Sequence, residues 1–80
     1  MTDIELKKRY VPIAESWLLI KEFQNAIGTD EECERLKKRA NEIYEKSGKS
    51  KFAKDIMVAT VNEIDRIMTE ARSEQERRSL

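Results

Sequence analysis

Apolar side chains recur through the first third of the chain at Leu6, Tyr10, Ile13, Trp17, Ile20 and Ile27, with Gln24 as the one polar step. Steps of four and three mark one face of a helix, so this stripe is predicted to face inward. Thr2 and Glu5 stand at capping-box spacing, the hydroxyl placed for an orphan N–H and the carboxylate for reaching back. Gly28 supplies the stop, because a residue without Cβ takes the left-handed conformation without strain. Pro12 falls inside the segment. It has no N–H to bond the Lys8 carbonyl and its ring crowds the preceding turn, so the first helix is predicted to kink or break there.

A second helix opens at Thr29, with Glu32 again at capping-box spacing and Asp30 and Glu31 adding negative charge at the positive end of the helix dipole. Cys33, Leu36, Ala40, Ile43 and Ser47 step by three and four, with Tyr44 beside them. Glu31–Arg35, Glu34–Lys38 and Glu42–Lys46 have the favoured acid-before-base order, worth about 0.2–0.5 kcal/mol each. Gly48 ends this helix and Ser50 caps the next. So tight a joint predicts that helices two and three are antiparallel neighbours. The third helix carries Ala53, Met57, Thr60, Val61, Ile64, Ile67, Met68 and Ala71 on one broad face, and Phe52, Ile56 and Ala59 on a second stripe. From Ser73 the apolar pattern stops. The predicted fold is all-α: a small three-helix bundle framed by a helix two–helix three hairpin, with residues 1–72 as one helical domain and 73–80 as a frayed polar tail.

Composition narrows the function more than it identifies it. Eighty residues at 9.4 kDa make one domain, which when compact exposes roughly 5,000 Å² of the ~13,600 Å² of its unfolded chain. The buried fraction is near the low end for independent folding, so association would add usefully to stability. Charged residues reach 40% and hydrophobic ones 39%, with two Gly and one Pro, a mixture that fits helices with solvated faces. Sixteen basic and sixteen acidic side chains cancel, so no overall field draws the chain to nucleic acid or anionic membrane. With no His and a single Cys33, neither a disulfide framework nor a Cys/His metal site is expected, and no cofactor is implied. The N-terminus has no apolar stretch of signal-peptide length. The run Trp17-Leu18-Leu19-Ile20 is far short of the ~20 residues that span a bilayer. A cytoplasmic location and no membrane partner are the expectation.

Each candidate site has a structural reading beside it. Ser47-Gly48-Lys49-Ser50 resembles the end of a phosphate-binding loop, but the glycine required five residues before Gly48 is Ile43, and a helix precedes the loop where a strand is needed. A helix stop followed by a helix cap explains the same residues. Among the cations, Lys46, Lys49, Lys51 and Lys54 form the best candidate patch because a joint gathers them, which gives the alternative reading of a nucleic-acid-binding regulator. The triplets Lys7-Lys8-Arg9 and Lys37-Lys38-Arg39 point in several directions and are diluted by nearby acids. A helix-turn-helix alignment over 40–67 fits poorly, with Tyr44 where a small residue belongs and Lys54 at a buried position. No nucleophile has a base beside it, so no enzyme is expected, and Cys33 reads as core packing.

The most informative feature is Trp17-Leu18-Leu19-Ile20 followed by Phe23. Four consecutive apolar residues cover most of a helix circumference, more than one packed face hides. Leu19 and Phe23 pair at i,i+4: two helices covering both faces of a central helix would bury them, but in so short a chain they are predicted to face another chain, with Trp17 and Ile20 beneath them as core. Leu19, Phe23, Trp17 and Leu18 are thus the candidate partner-binding residues. The leading function is a non-enzymatic protein–protein interaction module, either a regulator or inhibitor of a larger partner or a homo-oligomer subunit. The composition suits a bacterial or phage regulatory protein.

Overall fold

The computed structural model describes residues 1–79. It is a three-helix bundle: α1 spans Asp3–Glu22, α2 Asp30–Lys46 and α3 Lys51–Ser79. All three pairs of helices are in contact. α2 runs antiparallel to both neighbours. Its start lies beside Met68 and Arg72 of α3 and its end beside Lys54 and Met57. Toward α1, Arg35 reaches Glu22 and Lys46 reaches Glu15. α1 and α3 are therefore parallel, and theirs is the most extensive of the three contacts. The frame is the α1–α3 pair as much as the α2–α3 hairpin.

Local signals set the ends of the helices. The Thr2 hydroxyl accepts the Glu5 N–H at 3.2 Å, and Ser50 does the same for Ala53 at 3.1 Å. At the joint after α2, the Gly48 N–H donates to Glu45 and the Lys49 N–H to Tyr44, the paired bonds of a Schellman stop. Gly48 sits at φ +76° and Lys49 follows at +56°. The phosphate-loop look-alike is thus a helix stop and a helix cap.

The course of the helices departs from expectation in places. α1 is continuous from Asp3 to Glu22, so it does not break at Pro12, whose ring is buried. The helix ends at Glu22, well before Gly28, because the Gln24 side chain donates to the Lys21 carbonyl and the chain turns to bury Ala26. Gly28 serves the connection instead. Its φ is +88°, its carbonyl accepts from Arg72 at 2.8 Å, and a Cβ there would meet that guanidinium at 2.9 Å. At the other end, α3 continues as helix to Ser79 across the expected tail. Glu74, Gln75, Glu76, Arg77 and Arg78 are strong helix formers, and the last two oppose the negative end of the dipole. Leu80 of the expected tail lies outside the described residues.

Glu32 fastens the first joint. One carboxylate oxygen accepts N–H bonds from Ile27, Gly28 and Thr29 at 2.9–3.1 Å, completing a capping box with Thr29. The Thr29 N–H bond, with further help from Ile27, Gly28 and the Thr29 hydroxyl, holds this carboxyl below the usual glutamate range against some desolvation. A depressed folded pKa stabilises fully above the ordinary glutamate value, and that contribution is lost as pH falls through the folded value. Amide exchange at 27–29 should therefore accelerate on acidification, relative to the α3 core. Glu32→Gln should remove that pH dependence, and an unchanged profile in the variant would assign it to another group.

The core gathers Leu19, Phe23 and Ala26 from α1 and its turn, Leu36 and Ile43 from α2, and Met57, Ile64 and Met68 from α3. Ile20, Cys33, Ala40, Ile56 and Val61 pack around its edge. The core sits toward the C-terminal half of α1, and every residue from Met1 to Tyr10 is exposed. The molecule is correspondingly long, 56 × 18 × 16 Å.

Candidate interaction surface

α1 is apolar on nearly every side, and its rotation decides which residues are core and which are surface. Leu19 and Phe23 are fully buried, each 0% exposed. They are core, which reverses the expectation that they face another chain. The stripe expected inside is outside: Leu6 is 52% exposed, Tyr10 68%, Ile13 53% and Trp17 58%. Of that stripe, only Ile20 reaches the edge of the core. Leu18 is exposed as well, on a different side of the helix from Trp17.

Matched charges accompany this rotation. Glu15 and Glu22 stand seven residues apart on α1, opposite Arg39 and Lys46, seven apart on α2. Glu15 pairs with Lys46, and Glu22 takes Arg35 at 3.7 Å and Arg39 at 3.4 Å. Turning the Leu6–Trp17 stripe inward would carry both glutamates away from α2 and break these contacts. Arg35 also lies over the Phe23 ring, 4.8 Å from its centroid, closing the core at that end. The matched seven-residue spacings of opposite charge are the sequence signal that distinguishes the two faces. Tyr10, Ile13 and Leu6 were missed as surface residues because their periodicity alone resembles that of a core.

The outward stripe is continuous. Leu6, Tyr10, Ile13 and Trp17 follow steps of four, three and four on one side of α1. The Lys21 ammonium lies over the Trp17 ring, 5.3 Å from its centroid. Phe52 of α3, itself part-exposed, lines a cleft with Lys8 and Arg9 next to this face. A second apolar groove lies between α2 and α3, lined by Ala40, Tyr44, Met57, Val58 and Val61 with Lys54 at its edge.

The four lysines of the basic candidate are all exposed around the α2–α3 joint. Their charge is partly neutralised in place: Lys46 pairs with Glu15, and Lys51 with Asp55 at 3.0 Å. Lys54 is exposed where the helix-turn-helix alignment needs a buried residue. Cys33 is half-buried at the edge of the core, its sulfur 4.0 Å from the Gly28 carbonyl. No helix among the described residues is long and apolar enough to cross a membrane.

No protein-family model, curated protein or solved structure matches this chain.

Proposed function

We propose that this chain is a non-enzymatic protein–protein interaction module whose contact surface is the outer face of α1, acting as a regulator of a partner or as a subunit of an oligomer. One observation carries the reading. Leu6, Tyr10, Ile13 and Trp17, each more than half exposed, form one contiguous apolar stripe on a chain in which 40% of the residues are charged. Contiguous exposed apolar patches mark contact sites in soluble proteins, whereas scattered single residues do not. Two of the four are Trp and Tyr, the residue types that most often carry binding energy. The basic joint supports nucleic-acid binding less well, since Lys46 and Lys51 already engage carboxylates.

The test compares the tagged chain with its Tyr10→Glu/Trp17→Glu variant. The wild type should retain a protein, whether untagged copies of itself or another chain, that the variant releases while its helical circular dichroism is unchanged. Equal retention by the two, or none by the wild type, would remove the α1 face as the contact surface.

A further inference from the structure

We propose that the occupant of the α1 face is a second copy of this chain, with α1 packed antiparallel against α1 across a two-fold axis between Tyr10 and Ile13. This rests on the interaction reading above and names its partner. The stripe is complementary to itself in that arrangement. With the axis midway between Tyr10 and Ile13, each Tyr10 meets Ile13 of the second copy, and each Trp17 meets Leu6. Every aromatic ring then faces an aliphatic side chain. A parallel pairing would set Trp17 level with Trp17 and align the two helix dipoles, whereas the antiparallel one opposes them.

Charge selects the same register. Asp3 and Lys21 are eighteen residues apart, five full turns at 3.6 residues each, so both stand on one flank of the stripe. A two-fold axis perpendicular to the plane of an antiparallel pair lays like flanks together. It brings Asp3 of one copy to within about one residue's rise, ~1.5 Å along the axis, of Lys21 of the other. The contact forms twice by symmetry. Parallel in-register packing would instead set Asp3 level with Asp3 and Lys21 level with Lys21. The chain carries no net charge, so two copies meet without overall repulsion.

The exposed area matches what a dimer needs. The chain exposes 6043 Å², about 1,000 Å² more than the roughly 5,000 Å² of a compact protein of this mass. Its radius of gyration is 14.7 Å, against about 12 Å for a compact chain of the same length. A standard interface takes about 800 Å² from each partner. Part of the excess is the polar end of α3, but most of the exposed large apolar side chains lie on α1, whose residues 3–10 are all exposed. Helical turns whose tertiary packing is limited to Lys8 and Arg9 beside the α2–α3 joint are marginal alone, and a second α1 would add to that packing. An isologous contact also closes at two copies, whereas docking the stripe into the α2–α3 groove of another copy would be heterologous and would not close as a pair.

Sedimentation analysis over increasing concentration tests this. The wild type should dimerise, and Ile13→Glu, next to the axis, should weaken the dimer by about a hundredfold or more, as for a central contact residue. Asp3→Lys alone and Lys21→Asp alone should each weaken it about tenfold, because two symmetry-related surface pairs become like-charged. Mixing these two variants should restore association, since both flank contacts in the mixed dimer are then oppositely charged. A wild type still monomeric at about 1 mM, the weak end of specific affinity, would overturn the proposal. So would a mixture no tighter than its components. Should the wild type be monomeric yet hold another protein that Tyr10→Glu/Trp17→Glu releases, the second copy is wrong and the α1 contact surface stands. Should that protein be held equally by the variant, both fall.

Discussion

Phe23→Ala is expected to remove most of the stability of this chain, at a cost of about 3–5 kcal/mol. A domain of this length has only about 4–12 kcal/mol in total. The ring is fully buried among residues of all three helices and covered by the Arg35 guanidinium, so no small shift refills the space. Leu19→Ala, one turn earlier on the same side, should cost about 2–5 kcal/mol. Trp17→Ala removes a larger side chain yet should cost the monomer less than about 1 kcal/mol, because that ring is mostly in water. Urea unfolding of the three variants separates the two rotations of α1. A steep loss for Trp17→Ala with Phe23→Ala unaffected would mean that the helix is turned the other way.

The second large effect falls on association. Tyr10→Glu/Trp17→Glu should reduce binding through the α1 face by more than a hundredfold while unfolding midpoints, measured dilute enough for both chains to be monomeric, move little. A large aromatic side chain brings about 150–250 Å² to a contact, and in a symmetric dimer each substitution acts twice. A carboxylate buried there adds a desolvation cost that Lys21, the cation beside position 17, offsets only in part. Both side chains are surface residues of the monomer, so the bundle should tolerate the change. Size-exclusion chromatography with light scattering at matched concentrations, alongside urea unfolding, measures both quantities. Loss of association accompanied by unfolding would return these residues to the core.

Features decided by neighbouring residues were legible in the sequence. Thr29 with Glu32, the hydroxyls of Thr2 and Ser50, and the Gly48 stop all act within one turn, so spacing alone identifies them. The broad α3 face was legible for a related reason: Ala53, Met57, Ile64 and Met68 stand on one side of a helix with a clear polar opposite. The rotation of α1 was not. Leu6–Tyr10–Ile13–Trp17 and Pro12–Leu19–Phe23 are both apolar stripes, and periodicity does not rank two such faces on one helix. What ranks them is long-range: Leu19 and Phe23 pack with Leu36, Ile43, Ile64 and Met68, and Glu15 and Glu22 meet Lys46, Arg35 and Arg39 on α2. The early end of α1 escaped for the same reason, since burying Ala26 and joining Gly28 to Arg72 involve residues distant in sequence.

Trp17 is the sole tryptophan of the chain, so its fluorescence reports the facing of α1 without ambiguity. The decisive measurement is its emission and quenching in the Ile13→Glu variant, where the α1 contact is disrupted and the bundle retained. The outward stripe predicts emission close to that of free tryptophan in water and ready quenching by iodide or acrylamide. In the wild type, raising the concentration should then shift emission to shorter wavelength and protect the ring as the face is covered. A short-wavelength, quench-resistant tryptophan in the folded monomeric variant would place Trp17 in the core and contradict the outward α1 face.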